Sequence, residues 1–188
     1  MVSSDLPRKT LSADRSCLIT IDVQDRLAQA IADTESVQAE IRKLLTAASQ
    51  LAVPCVFTEQ YPGGLGATLP QVRGAAEQSE VVEKITFSAM GEPAFPAFLE
   101  RVERSQLLLC GMETHVCVLQ TALDLKGGGH EVYVVADACG SRDPWQKDTG
   151  LARLRQEGVR VVSTEMVLFE WLERAGTERF RSLLGMIK

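Results

Sequence analysis

The sequence predicts a doubly wound α/β domain, and three observations carry that prediction. Six short apolar segments recur along the chain: CLITID (17–22), PCVFTE (54–59), VVEKI (81–85), QLLLCG (106–111), EVYVVA (131–136) and RVVS (160–163). Most are rich in Val, Ile and Leu without alternation, the pattern of parallel strands buried on both faces. Longer amphipathic stretches separate them, at 33–52, 94–104, 115–127 and 144–157. Finally, 188 residues with 45% hydrophobic and 24% charged side chains suit one globular domain. Aromatic residues are only 5%, so the core is aliphatic.

In chain order, residues 1–13 read as a loose segment before a first strand that ends at Asp22. A helix over 33–52 leads to the second strand, and YPGGLGATLP follows as a Gly/Pro-rich loop. Its Gly63, Gly64 and Gly66 either make a plain flexible loop or line a pocket. VVEKI, the helix at 94–104, QLLLCG and the helix at 115–127 come next. Gly127–Gly129 read as a helix C-cap and turn. After EVYVVA, the helix at 144–157 and RVVS, TEMVLFEWLERAGTERFRSLLGMIK closes the chain as two short helices. No repeat or linker interrupts 1–188, so one domain is expected. Strand–helix alternation implies right-handed crossovers, with the site at the carboxyl ends of the strands.

Charge and motifs narrow the function. Twenty basic against twenty-five acidic residues give −5, which argues against a nucleic acid or an anionic membrane as partner. No apolar run approaches the roughly 18 residues of a spanning helix, and the first sixteen residues lack a secretory apolar stretch. Five cysteines without a CxxC pair point to a reducing compartment, hence a cytoplasmic protein. The first strand is followed by DVQDRL rather than GxGxxG, and no phosphate loop, GxSxG, HExxH or zinc-type spacing occurs.

Three strand ends carry reactive groups. Asp22 is either a loop or cap carboxylate, or a functional one whose burial demands a partner. Lys84, among Val81, Val82 and Ile85, is either a surface lysine or that partner. Cys117 in GMETHVCVLQTALDL falls in the first turn of a helix, where the macrodipole and free N–H groups lower a thiol pKa. Packing is its bland alternative. His115 as its base and Cys139, placed in the loop after the fifth strand, as a rival nucleophile complete the options.

The strings LITIDVQ, TEQYPGGLG, VVEKITFSA, GMETHVCVLQTALDL, VVADACGSR and TEMVLFEWL together resemble the isochorismatase-like cysteine hydrolases, over residues 14 to 187. TEQYPGGLG and TEMVLFEW are similar to the isochorismatase-domain-containing branch. The resemblance implies a three-layer fold, with a six-stranded parallel sheet between helices on both faces, and a homodimer or larger assembly. It also implies an Asp22–Lys84–Cys117 triad that cleaves an amide or ureido C–N bond of a small polar molecule through a thioester. Asp22 is the base, Lys84 the stabilising cation, and the Glu113 and Cys117 backbone N–H groups the oxyanion hole. The turn before the cysteine usually holds a cis peptide, here Met112–Glu113. Leu168, Phe169, Trp171 and Leu172 either cap their own sheet or meet a partner subunit, and the family habit favours the partner.

Departures from the family pattern matter as well. Nicotinamidases carry an Asp-x-His metal cluster after the second strand, whereas this chain has Thr58-Glu59-Gln60-Tyr61. No metal or cofactor is therefore expected, and nicotinamide is not the first substrate to test. Gln24, Gln60, Tyr61, Phe87, Thr114 and His115 are the pocket candidates, each with loop packing as its alternative. Family members nearer isochorismatase cleave an enol ether, so the triad alone does not fix the bond. Two rivals stand. A magnesium-dependent phosphatase with Asp22 as nucleophile wants a second Asp at position 24, where this chain has Gln. A binding or scaffold protein would keep the fold without turnover.

Overall fold

A computed structural model describes residues 9–187. Its single sheet contains β1 (Ser16–Ile21), β2 (Cys55–Gln60), β3 (Glu80–Lys84), β4 (Gln106–Met112), β5 (Glu131–Gly140) and β6 (Arg160–Val162). All pairings are parallel and the spatial order is β3-β2-β1-β4-β5-β6. The chain winds outward from β1 to β3, then returns to the centre and winds the other way. The order thus reverses between β1 and β4, and a crevice opens there outside the strand carboxyl ends.

The helices are α1 (Asp25–Ala28), α2 (Thr34–Gln50), α3 (Pro62–Leu65), α4 (Pro70–Arg73), α5 (Ala94–Val102), α6 (Leu119–Gly127), α7 (Pro144–Gln156), α8 (Thr164–Leu172) and α9 (Glu178–Ile187). Strand side chains alternate between two cores. Leu18, Leu108 and Cys110 pack with Val37, Ile41 and Leu44 of α2 and with Val167 and Trp171 of α8. On the other face Ile19, Leu107 and Leu109 meet Phe95 of α5, Ala122 of α6 and Leu154 of α7. Three layers result, as six apolar runs with little alternation require. Local signals fix the helix starts. Asp143 accepts from the Trp145 N–H with Pro144 at the first position of α7, and Ser163 accepts from the Met166 N–H at α8.

Four expectations need correction. Of the segment expected to be loose, residues 1–8 lie outside the described residues, yet Leu11 is buried in the core and its N–H donates to Glu170. The Gly/Pro-rich loop is not plainly flexible: α3 and α4 interrupt it, and Gly64 and Gly66 carbonyls accept from Arg26 and Gln24. β5 extends through Gly140, so Cys139 is a fully buried strand residue rather than a loop thiol. Leu168, Trp171 and Leu172 pack into their own core, and Trp171 Nε1 donates to Ser16 Oγ at 2.9 Å; only Phe169 of that cluster is exposed.

No described helix is long and apolar enough to cross a membrane.

Candidate active site

Register brings the reactive groups to one level. Ile21 pairs with Thr58 and with Gly111, and Gln60 pairs with Lys84, so the ends of four adjacent strands coincide. Gly111 makes this possible: its φ is +120°, and a Cβ there would sit 2.0 Å from the Ile21 carbonyl oxygen. One residue beyond Ile21, Asp22 adopts the left-handed φ of 49°. Such a conformation costs a non-glycine residue about 1–3 kcal/mol and persists where the surroundings impose it. Here the Asp22 N–H donates to the Thr58 carbonyl, and the Asp22 carbonyl accepts from the Gln24 N–H.

The carboxylate that this turn delivers is wholly buried. Thr58 Oγ1 donates to Oδ1 at 2.6 Å. Oδ2 lies 2.7 Å from Lys84 Nζ, with both side chains fully out of water. Oδ2 therefore faces the ammonium as an ion pair, and the Cys117 thiol lies on the same carboxylate. The ammonium donates to Gln60 Oε1 at 2.6 Å and to the Phe87 and Thr86 carbonyls at 3.2 and 3.3 Å. Lys84 is the least expected side chain in such a place, and its partners explain it.

Cys117 comes from the other half of the sheet. After β4 the Met112–Glu113 peptide is cis, and Thr114–Val118 form a π-helical turn leading into α6. The Val116 and Val118 N–H groups both donate to the Glu113 carbonyl. The thiol is 5% exposed and close enough to Asp22 and Lys84 to feel both charges. Burial and the Asp22 carboxylate push it up to about 12, and Lys84 pulls only partly the other way. The helix-terminus argument alone therefore misleads: the resting group is a protonated thiol with a carboxylate beside it.

Cys17, Cys110 and Cys139 are buried in the packing. Cys110 faces Thr20 Oγ1 and the Ile19 carbonyl within the core, and Cys139 is held protonated by complete burial. His115 turns Nδ1 to Ser141 Oγ at 3.0 Å, not to Cys117.

The pocket candidates divide. Gln24 is buried and closed upon itself: Oε1 accepts from the Gln60 N–H, and Nε2 donates to the Gln60 and Gly66 carbonyls. Gln60 spends its amide on Lys84 and on the Ile85 carbonyl, and buried Thr114 donates to the Gly140 carbonyl. These three tie the loops to the strand ends. Tyr61 and Phe87 are exposed at the rim. Two groups escaped the sequence reading. Thr58 was legible only through strand register, while Arg142 grips Glu113 across 29 residues of separation.

Among the described residues no group of three or more His, Cys, Asp or Glu side chains is placed to hold a metal ion. A groove of about 650 Å³ at the opposite end of the sheet is lined by Ala48, Cys55, Phe98 and Arg104 and includes none of Asp22, Lys84 and Cys117.

The comparison with known proteins decides the family. The isochorismatase domain model matches residues 16–166. This chain is a member of the isochorismatase domain family. It is 36% identical to mouse isochorismatase domain-containing protein 2A over 176 residues, covering 93% of this chain and 84% of the relative. Among solved structures it resembles the MAR1 ribonuclease of Caenorhabditis elegans, with TM-score 0.89, 31% identity and coverage of 95% and 92% of the two chains. The Escherichia coli YcaC product, an octameric hydrolase of unknown specificity, shares the fold at TM-score 0.86 and 20% identity, covering 97% of this chain and 89% of that one. The six-stranded parallel sheet with helices on both faces is the isochorismatase-like fold.

Proposed function

We propose that this member of the family is a cysteine hydrolase that cleaves an amide or ureido C–N bond in a small polar molecule. One observation carries the reading: the Asp22 carboxylate, fully buried and 2.7 Å from the Lys84 ammonium, stands beside the Cys117 thiol at the topological switch point. Asp22 takes the Cys117 proton as sulfur attacks the carbonyl carbon, and Lys84 holds the carboxylate in place. The Glu113 and Cys117 N–H groups meet the oxyanion. Collapse breaks the C–N bond, and the amine leaves with the proton from Asp22. A water then gives its proton to Asp22 and attacks the thioester; the acid departs, and the proton returns to sulfur.

A substrate this small matches the setting, since Cys117 is only 5% exposed. The nematode relative is called a ribonuclease, but a net charge of −5 gives a polyanion no help here. Assembly of at least two copies belongs to the same reading, as the octameric relative suggests.

The test is a hydrolysis screen over small amides and ureides with wild type, Cys117→Ala and Asp22→Asn. Turnover lost in both variants supports the proposal. No turnover from the wild type, with Cys117 labelled no faster than an ordinary cysteine, would leave a binding protein.

A further inference from the structure

The turn that carries Cys117 is held from outside by three consecutive residues at the end of β5. The Gly140 carbonyl accepts from Thr114 Oγ1 at 3.0 Å, and Ser141 Oγ meets His115 Nδ1 at 3.0 Å. Arg142 takes the Glu113 carboxylate in a fork: Nη2 to Oε1 at 2.6 Å, Nε to Oε2 at 3.0 Å, and its backbone N–H to Oε2 at 2.9 Å. Residues 113, 114 and 115 are thus each fastened. The strongest of these ties holds a carboxylate that is nearly out of water while Arg142 itself is two-thirds exposed, so the guanidinium adds little to the core. A bidentate fork fixes direction as well as distance.

Resting on the reading of Cys117 as nucleophile, we infer that Arg142 is a positioning residue. By gripping Glu113 it fixes the Glu113 and Cys117 N–H groups, so that the oxyanion site is formed before substrate arrives. Preformed donors are where enzymes gain most, and misplacement by about 1 Å costs up to about 100-fold.

Two neutral reagents separate this role from simple support. In addition to acrylamide, sulfur bonds to the terminal carbon and the C=C pair moves toward the carbonyl oxygen. The negative charge develops there, and the thiol proton, held by Asp22, ends on the adjacent carbon. In alkylation by iodoacetamide sulfur displaces iodide and no charge grows on the oxygen; the thiol proton passes to solvent. The full chain is treated with each reagent at pH 7 and the labelled cysteine is located by mass spectrometry.

Arg142→Gln is expected to slow acrylamide addition at Cys117 by about tenfold or more and to leave iodoacetamide within about twofold. Arg142→Lys, which keeps the charge without the fork, is expected to behave like Arg142→Gln. Glu113→Gln provides a second variant should Arg142→Gln fail to fold, with the same selective loss. Equal slowing of both reagents, no slowing of either, or full recovery in Arg142→Lys would overturn the positioning role. Failure of the parent reading looks different: wild-type label would then spread to Cys55 or Cys139 with no preference for Cys117.

Discussion

Lys84 Nζ and Asp22 Oδ2 stand 2.7 Å apart with neither side chain exposed, a buried ion pair between β3 and the residue just past β1, two strands that do not adjoin. Removing one partner of such a pair leaves an uncompensated charge in the interior, at a cost of about 3–5 kcal/mol. Lys84→Met is therefore expected to lose about that much in urea unfolding. The double variant Asp22→Asn/Lys84→Met should regain a large part of it, since no charge remains buried. Equal losses in single and double variants would contradict the pairing.

The thiol titration should move in opposite directions for the two partners. Burial and the Asp22 carboxylate hold the Cys117 thiol at about 12, and Lys84 is the opposing influence. Lys84→Met should raise it further, and Asp22→Asn should lower it while still abolishing turnover through loss of the base. The sign for stability follows. A thiol raised in the folded state contributes stability below its unfolded value, and that contribution is lost as pH rises through the folded one. Wild type should thus lose stability relative to Cys117→Ala above about pH 9. Iodoacetamide rates and urea midpoints against pH measure both.

Cys117→Ala should abolish hydrolysis with the fold unchanged by circular dichroism. Cys139→Ala should keep turnover and lose on the order of 1 kcal/mol, because a fully buried sulfur leaves a small cavity. The reverse pattern would overturn the choice of nucleophile.

How much of this was legible follows from particular residues. The six strands were readable because unbroken Val/Leu runs suit burial on both faces, whereas Asp22, Lys84 and Cys117 each kept a bland alternative until the resemblance to the isochorismatase-like hydrolases joined them. The loop ties were not readable. Gln24, Gln60 and Thr114 look like free polar groups in the sequence, and only strand register reveals that their partners are backbone carbonyls and N–H groups already in place. The thiol's high pKa was hidden for the same reason: helix position is local, whereas burial and Asp22 arrive through the fold.

The Glu113–Arg142 pair gives an acid-side signature. Burial alone would raise the Glu113 carboxyl, but hydrogen bonds and charge from Arg142 hold it below its ordinary value. A depressed carboxyl contributes stability above its unfolded value, near 4.5, and that contribution is lost as pH falls through the depressed one. Wild type and Arg142→Gln should converge in melting temperature as pH drops below about 4.5 and diverge above it. A constant gap across that range would count against the pair.

Self-association should be visible by sedimentation at micromolar concentration as a dimer or larger species. Tyr61, Ile85 and Phe87 are exposed at 59%, 68% and 55% around the end of β3, more apolar surface than one loop needs. A species that remains monomeric throughout would contradict it.

β3 is an outer strand of the sheet, hydrogen-bonded to β2 alone, and it supplies the site's ammonium. Outer strands open locally at lower free energy than central ones. The first breath of this molecule therefore withdraws Lys84 from Asp22 while β1 and β4 still hold the carboxylate and the thiol in register. Heating should silence the site before the domain melts, and deuterium should enter the Val81–Lys84 amides ahead of those in Leu107–Leu109.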